Sequence, residues 1–155
     1  MNPKSVVIVG WKRTPIGLLM SSLANFTATN LGSMAIRGAI ASCRIDPKLI
    51  EEVFMGNVLQ AACGQAPARQ ASLGAGLDKS TDCTTVNKGW ASGMKSVIFG
   101  AQSIACGQRS VVVAGGMESM TGSPHYMYIR QPLHHTHMQF VDSIILDAYT
   151  DSSDQ

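Results

Sequence analysis

No C-x-x-C pair occurs in this sequence, although it holds four cysteines, at positions 43, 63, 83 and 106. That spacing argues against a zinc ribbon or a thioredoxin-like motif. A disulfide framework is also a poor fit, because the chain is long enough to bury a core and shows no secretory leader. The four thiols are expected to be free and wholly or partly buried, in the cell interior. Charge is scarce as well: charged residues make up 14% of the 155 positions, with a net charge of +2. Nothing there points to nucleic acid or an anionic membrane as partner. No apolar run approaches the ~18 residues of a membrane span. The longest, "VVIV" (6–9) and "VVVA" (111–114), are strand-sized. A first strand from about Ser5 leaves no room for a signal or transit peptide, and Ser153-Asp154-Gln155 matches no sorting signal, so the cytoplasm is the expected location. The hydrophobic share of 45% is that of a globular domain, since disordered chains are poor in apolar residues.

The pattern along the chain alternates. "SVVIVG" (5–10) reads as a strand buried on both faces. A loop through Arg13, Pro15 and Gly17 follows. Over 29–43, Leu31, Met34, Ala35, Ala39 and Ile40 recur at helical spacing, and Pro47 in "RIDP" (44–47) stops the helix. "EVFMGNV" (52–58) is a second strand. "PARQASLGAGL" (67–77) is a short helix with Pro67 in its first turn, and "CTTVN" (83–87) is a third strand. Residues 91–106 are expected to be helical, with Met94, Val97, Ile98, Ala101, Ile104 and Ala105 as the core face and Gly107 as the cap. "SVVVAGG" (110–116) is the fourth strand, and "VDSIILDAYTD" (141–151) is read as one more helix. The order βαβαβαβ predicts an α/β fold with a mostly parallel sheet and crossover helices.

One stretch carries the chemistry. "VNKGWASGMKS" (86–96) is a turn from a buried strand into a helix. A cysteine there would sit at the positive end of the helix dipole, where free backbone N–H groups favour a thiolate. The same groups can hold the oxyanion formed when that thiolate attacks a thioester. The residue at the turn is Trp90.

Four stretches carry a family resemblance: "RTPIG" (13–17), "MGNVLQAACGQAPARQASLGAGL" (55–77), "CTTVNKGWASGMKS" (83–96) and "VVVAGGMESMTGSPHYM" (111–127). The chain resembles the N-terminal part of the thiolase family, and most closely the acetoacetyl-CoA thiolases of the mitochondrial type. The resemblance runs from Val6 to about Met127. It implies the thiolase-like N-terminal half, incomplete: residues 1–120 as the N-terminal domain without its last strand, and 121–155 as the start of the loop domain. It also implies acyl-CoA as substrate, acyl transfer between coenzyme A thioesters, no cofactor or metal, and homo- or hetero-oligomers with other thiolases. By this resemblance mitochondria are the alternative location.

The family pattern has valine and the nucleophilic cysteine where this chain has Gly89 and Trp90. In thiolases that cysteine takes an acyl group and passes it to the carbanion of a second acetyl-CoA, or runs the reverse thiolysis. An indole forms no thioester, and losing a nucleophile from a covalent mechanism costs on the order of 10⁶ in turnover. A tryptophan in a tight turn is also expected to overpack it, by roughly 1–3 kcal/mol. The resemblance further implies a histidine, a second cysteine and an Asn-bound water from the C-terminal half, beyond the span of this chain. No catalytic residue is therefore expected to be intact. The expected function is that of an inactive thiolase homologue. The alternatives are a fragment of an active acetyl-CoA acetyltransferase and a non-catalytic partner of an intact thiolase. A sheet lacking its family cover on one face predicts an exposed apolar patch.

Other residues have simpler readings. Cys83 is placed to be a substitute nucleophile but reads as an ordinary buried thiol. Cys63 reads as a loop thiol, and Cys43 and Cys106 as helix-face filler. "HHTH" (134–137) lacks the carboxylate or cysteine that would complete a metal site. Glu118 reads as structural, Arg69 and Gln70 as structural or dimer-facing, and Met117, Met120 and Met127 as packing residues.

Overall fold

A computed structural model of the chain describes residues 5–130 and 137–153. Three strands form a parallel sheet: β1 (Glu52–Gly56), β2 (Asp82–Val86) and β3 (Val112–Gly116), in the order β2-β1-β3. The helices α1 (Ala28–Cys43), α2 (Pro67–Ala75) and α3 (Ser92–Ala105) fall close to their predicted spans. Parallel neighbours need crossovers, and α2 and α3 supply them.

Alternation along β1 sorts the two faces of the sheet. Val53 and Met55 point into the core with Ala68 and Ala71 of α2 and Ile36 and Ile40 of α1. Glu52, Phe54 and Gly56 point to α3: the Ser103 hydroxyl donates to Glu52 at 2.9 Å, and the Phe54 and Phe99 ring centroids are 5.9 Å apart. Helices thus lie on both faces of the sheet, which corrects the expectation of a bare face, and only the α3 side of β2 stays open, with Asp82 and Thr84 exposed.

The exposed apolar surface lies elsewhere. The buried face of α3 is Ser92, Ser96, Gly100 and Ser103, not the apolar stripe. Met94, 70% exposed, with Val97 and Ile98, faces outward. Small residues let the helix lie close on the sheet: a Cβ added at Gly100 would meet Val112 Cγ1 at 3.2 Å. Residues this small bury at little cost when their hydroxyls are bonded, as Ser96 Oγ is to the Ser92 carbonyl at 3.0 Å. On α1 the buried set is likewise Ala28, Gly32, Ser33, Ile36 and Ile40, and Met34 is exposed.

Two more expectations are corrected. Residues 5–10 form no strand, so the parallel sheet has three strands and not four among the described residues. An apolar strand is stable only between neighbours, and among the described residues no strand pairs with this stretch: Val7, Ile8 and Val9 are exposed. Residues 141–151 are not one α-helix. Val141–Asp142 (β5) pairs antiparallel with His125–Tyr126 (β4), and Ile145–Tyr149 forms a π-helical turn.

The helix ends follow sequence. Gly107 adopts φ +76, and its N–H and that of Gln108 bond to the carbonyls of Ile104 and Ser103 at 3.0 Å, the two bonds of a Schellman cap. At the start of α1, Thr27 Oγ1 accepts from the Asn30 N–H at 3.1 Å while Asn30 Oδ1 accepts from the Thr27 N–H at 3.3 Å. Replacing Thr27 with alanine removes this reciprocal cap and should lower stability by about 1 kcal/mol. Urea denaturation would show it as a lower midpoint at unchanged slope.

Candidate active site

The C-terminal ends of β1 and β3 and the first turn of α3 meet at three glycines. A Cβ at Gly56 would fall 2.5 Å from the carbonyl carbon of Ser92, and one at Gly116 would fall 3.1 Å from Gly93 Cα. These contacts put the start of α3 directly on the strand ends. No side chain caps that helix, and its first turn carries no acid. Its positive end is left to whatever occupies the space in front of it, and suits a negative oxygen.

That space is a cleft of ≈ 450 Å³. One wall is the loop segment 14–19, the other is the segment 117–121, and Gly56, Gly93 and Gly116 lie at its floor. The walls are tied together: the Met20 N–H donates to Thr121 Oγ1 at 2.9 Å, and Ser119 Oγ donates to the Phe26 carbonyl at 2.8 Å. Ile16, Leu18, Leu23, Val58, Met117 and Met120 make the lining largely apolar.

The turn that presents residue 90 is closed by its own hydrogen bonds. Lys88 N–H donates to the Ser92 hydroxyl at 2.9 Å, and that hydroxyl donates to the Gly89 carbonyl. Ala91 N–H reaches Lys88 O at 3.2 Å, and Asn87 Oδ1 accepts from the Gly89 N–H at 3.0 Å. Gly89 adopts φ +51 with open space around its Cβ position, a left-handed value that disfavours valine. Trp90 lines the cleft yet is 66% exposed, and its ring meets Tyr149 with centroids 5.6 Å apart. The expected overpacking is therefore absent, because the turn aims the indole outward.

Glu118 is the one ionisable side chain among the described residues of the lining. Its carboxylate accepts from Asn57 Nδ2 at 2.6 Å, Val58 N–H at 2.8 Å and Leu59 N–H at 3.2 Å. Burial raises its pKa, against the lowering by those three bonds. The structural reading of Glu118 fits these bonds, although no local signal marks its partners. Arg69 and Gln70 spend their donors on the carbonyls of Lys79, Thr81, Cys63 and Gln65.

No cysteine lies in the cleft. Cys83 sits on β2 beside Val53, packed against the core, with its thiol 3.4 Å from the Thr81 carbonyl. Cys63 is also packed against the core, its thiol 3.3 Å from the Leu59 carbonyl, and burial followed by the Glu118 charge pushes its pKa up. Cys43 bonds back to the carbonyls of Ala39 and Ile40, and Cys106 is exposed at the end of α3. Of "HHTH", His134 and His135 lie outside the described residues, and His137 is exposed. Among the described residues no three His, Cys, Asp or Glu side chains group as metal ligands, and no helix is long and apolar enough to cross a membrane.

The family model for the N-terminal domain of thiolase matches residues 6–155. The chain belongs to the thiolase family. A thiolase from Ascaris suum, Acat5, solved in complex with coenzyme A, superposes with a TM-score of 0.91 at 40% identity, covering 96% of this chain and 39% of that one. The human mitochondrial acetyl-CoA acetyltransferase is 51% identical over 96% of this chain and 34% of its own length. The cytosolic acetyl-CoA acetyltransferase ERG10 of Gibberella zeae is 48% identical over 97% of this chain and 38% of its own length. This thiolase chain therefore spans just over a third of these relatives.

Proposed function

We propose that this chain is the N-terminal part of a thiolase-type acyltransferase in which position 90 no longer supports the acyl-enzyme step. The family reaction joins two acetyl-CoA to acetoacetyl-CoA and coenzyme A, or cleaves the product by thiolysis. It begins when a thiolate attacks a thioester carbonyl and the coenzyme A thiolate leaves. The observation that carries the reading is the makeup of the cleft: among the described residues it has no thiol, imidazole or amine, and residue 90 is an indole. The hydroxyls of Ser92, Ser119 and Thr121 are engaged within the turn and the walls, and the nearby Glu118 carboxylate is occupied by the donors of Asn57, Val58 and Leu59. We read residues 1–120 as the N-terminal domain and 121–155 as the opening of the loop domain. The proposed location is the cytoplasm, with mitochondria as the alternative. Relatives named cytosolic and mitochondrial match almost equally well.

Incubation with acetyl-CoA, followed by mass spectrometry of the peptide spanning Lys88 to Lys95, tests this. The native chain should carry no acetyl adduct there, and Trp90→Cys should acquire one. An adduct on the native peptide would overturn the reading. So would its absence from W90C, because the defect would then lie elsewhere.

A second reading, a non-catalytic partner of an intact thiolase, is favoured by the outward apolar stripe Met94, Val97 and Ile98. Mixing the chain with an intact thiolase and finding no co-purification would remove it.

A further inference from the structure

The contact between Trp90 and Tyr149 has no counterpart in the chemistry of the cleft. Tyr149 ends the π-helical turn that follows β5. The segment 141–150 is fastened at its near end to residues 124–126. Ser143 N–H and Oγ both donate to the Pro124 carbonyl, at 3.3 and 2.7 Å, and the Tyr126 hydroxyl donates to Asp147 at 3.1 Å. At its far end Tyr149, 64% exposed, reaches the indole on the β2–α3 turn, at an interplanar angle of 48°. Such a tilted pair at 5.6 Å lies within the range where aromatic rings attract beyond their buried area. The turn beneath it is held by the Ser92 hydroxyl and pressed onto Gly56, so it gives the indole a fixed seat.

We propose that Trp90 is an anchor: its ring holds Tyr149 and thereby straps the 141–150 segment to the rim of the cleft. Position 90 then has a scaffolding role in this chain. The strap and the loss of acyl transfer fail separately. An acetyl adduct on the native peptide would remove the second and leave the first.

The test is amide hydrogen exchange across 143–150 together with indole fluorescence, in a Trp11→Phe background so that Trp90 is the sole emitter. Trp90→Ala and Tyr149→Ala should each accelerate exchange in the strap by roughly twofold to tenfold. The double variant should be no faster than either single one, because both remove the same contact. Tyr149→Ala should also move Trp90 emission to longer wavelength and increase quenching by acrylamide. Trp90→Phe keeps a ring and should hold strap exchange near that of the parent. Unchanged strap exchange in both single variants, additive effects in the double, or equal acceleration across β1–β3 would each overturn the anchor.

Discussion

Gly56→Ala should be the most damaging single-methyl change in the chain, lowering stability by roughly 3 kcal/mol, at the upper end of overpacking costs. The added Cβ would lie 2.5 Å from the Ser92 carbonyl carbon and 2.6 Å from the Gly93 nitrogen. Both are backbone atoms at the start of a helix that also rests on Gly116, the neighbour of Gly56 on β3. No side chain can rotate away, so α3 must move as a body or β1 must bend. Gly115→Ala is the matched control. Its Cβ would meet only the Met55 side chain, at 3.5 Å from Sδ and 3.9 Å from Cε, ordinary contacts, and it should cost less than about 1 kcal/mol. Urea denaturation of the two variants decides the matter, and equal midpoints would show that the glycine junction is slack. The loss at Gly56 is large against the ~5–15 kcal/mol that holds a domain folded. It would also displace the turn carrying Trp90.

What could be read from the sequence follows the reach of each signal. Local signals served well. Gly107 after the last helical residue, Pro67 in a first turn and the β-branched run at 83–87 each depend on neighbouring residues, and the elements lie where those signals put them. The position of residue 90 at a strand-to-helix turn was legible for the same reason. Signals that depend on what an element packs against did not serve. On α3 the apolar stripe looked like the core face, yet close approach to the sheet selected Ser92, Ser96, Gly100 and Ser103 instead. Hydrophobicity cannot rank a stripe of serines and glycine as buried. Only the distance between helix and sheet does. The run 6–9 has the composition of an inner strand, but pairing needs a neighbour that composition does not supply. Tyr149 meeting Trp90, and Glu118 meeting the 57–59 loop, join residues far apart in the chain, and no periodicity marks them.

Glu118→Ala should cost about 2–4 kcal/mol. It strips the acceptor from the N–H groups of Val58 and Leu59 and from the amide of Asn57, which is fully buried. A buried donor left without a partner costs about 1–3 kcal/mol, and entry of water from the cleft offsets part of that sum. The pH dependence separates charge from hydrogen bonding. Burial raises the Glu118 pKa above 4.5 despite three bonds that lower it, so the folded chain holds this proton more tightly than the unfolded one. The stability linked to that proton is fully present below the unfolded value and is lost as pH rises through the raised folded value. Glu118→Gln has no such proton. It keeps one acceptor oxygen but turns an amide N–H₂ toward a backbone donor, so it should be weaker than the parent throughout. Its deficit should be largest in acid and shrink as pH rises. Urea midpoints for both chains from roughly pH 4 to 8 span the window in which a raised carboxyl titrates. A deficit that grew with pH would mean that the bonds from Asn57, Val58 and Leu59 outweigh burial. Glu118 would then be held as a carboxylate clasping the 57–59 loop to the end of β3.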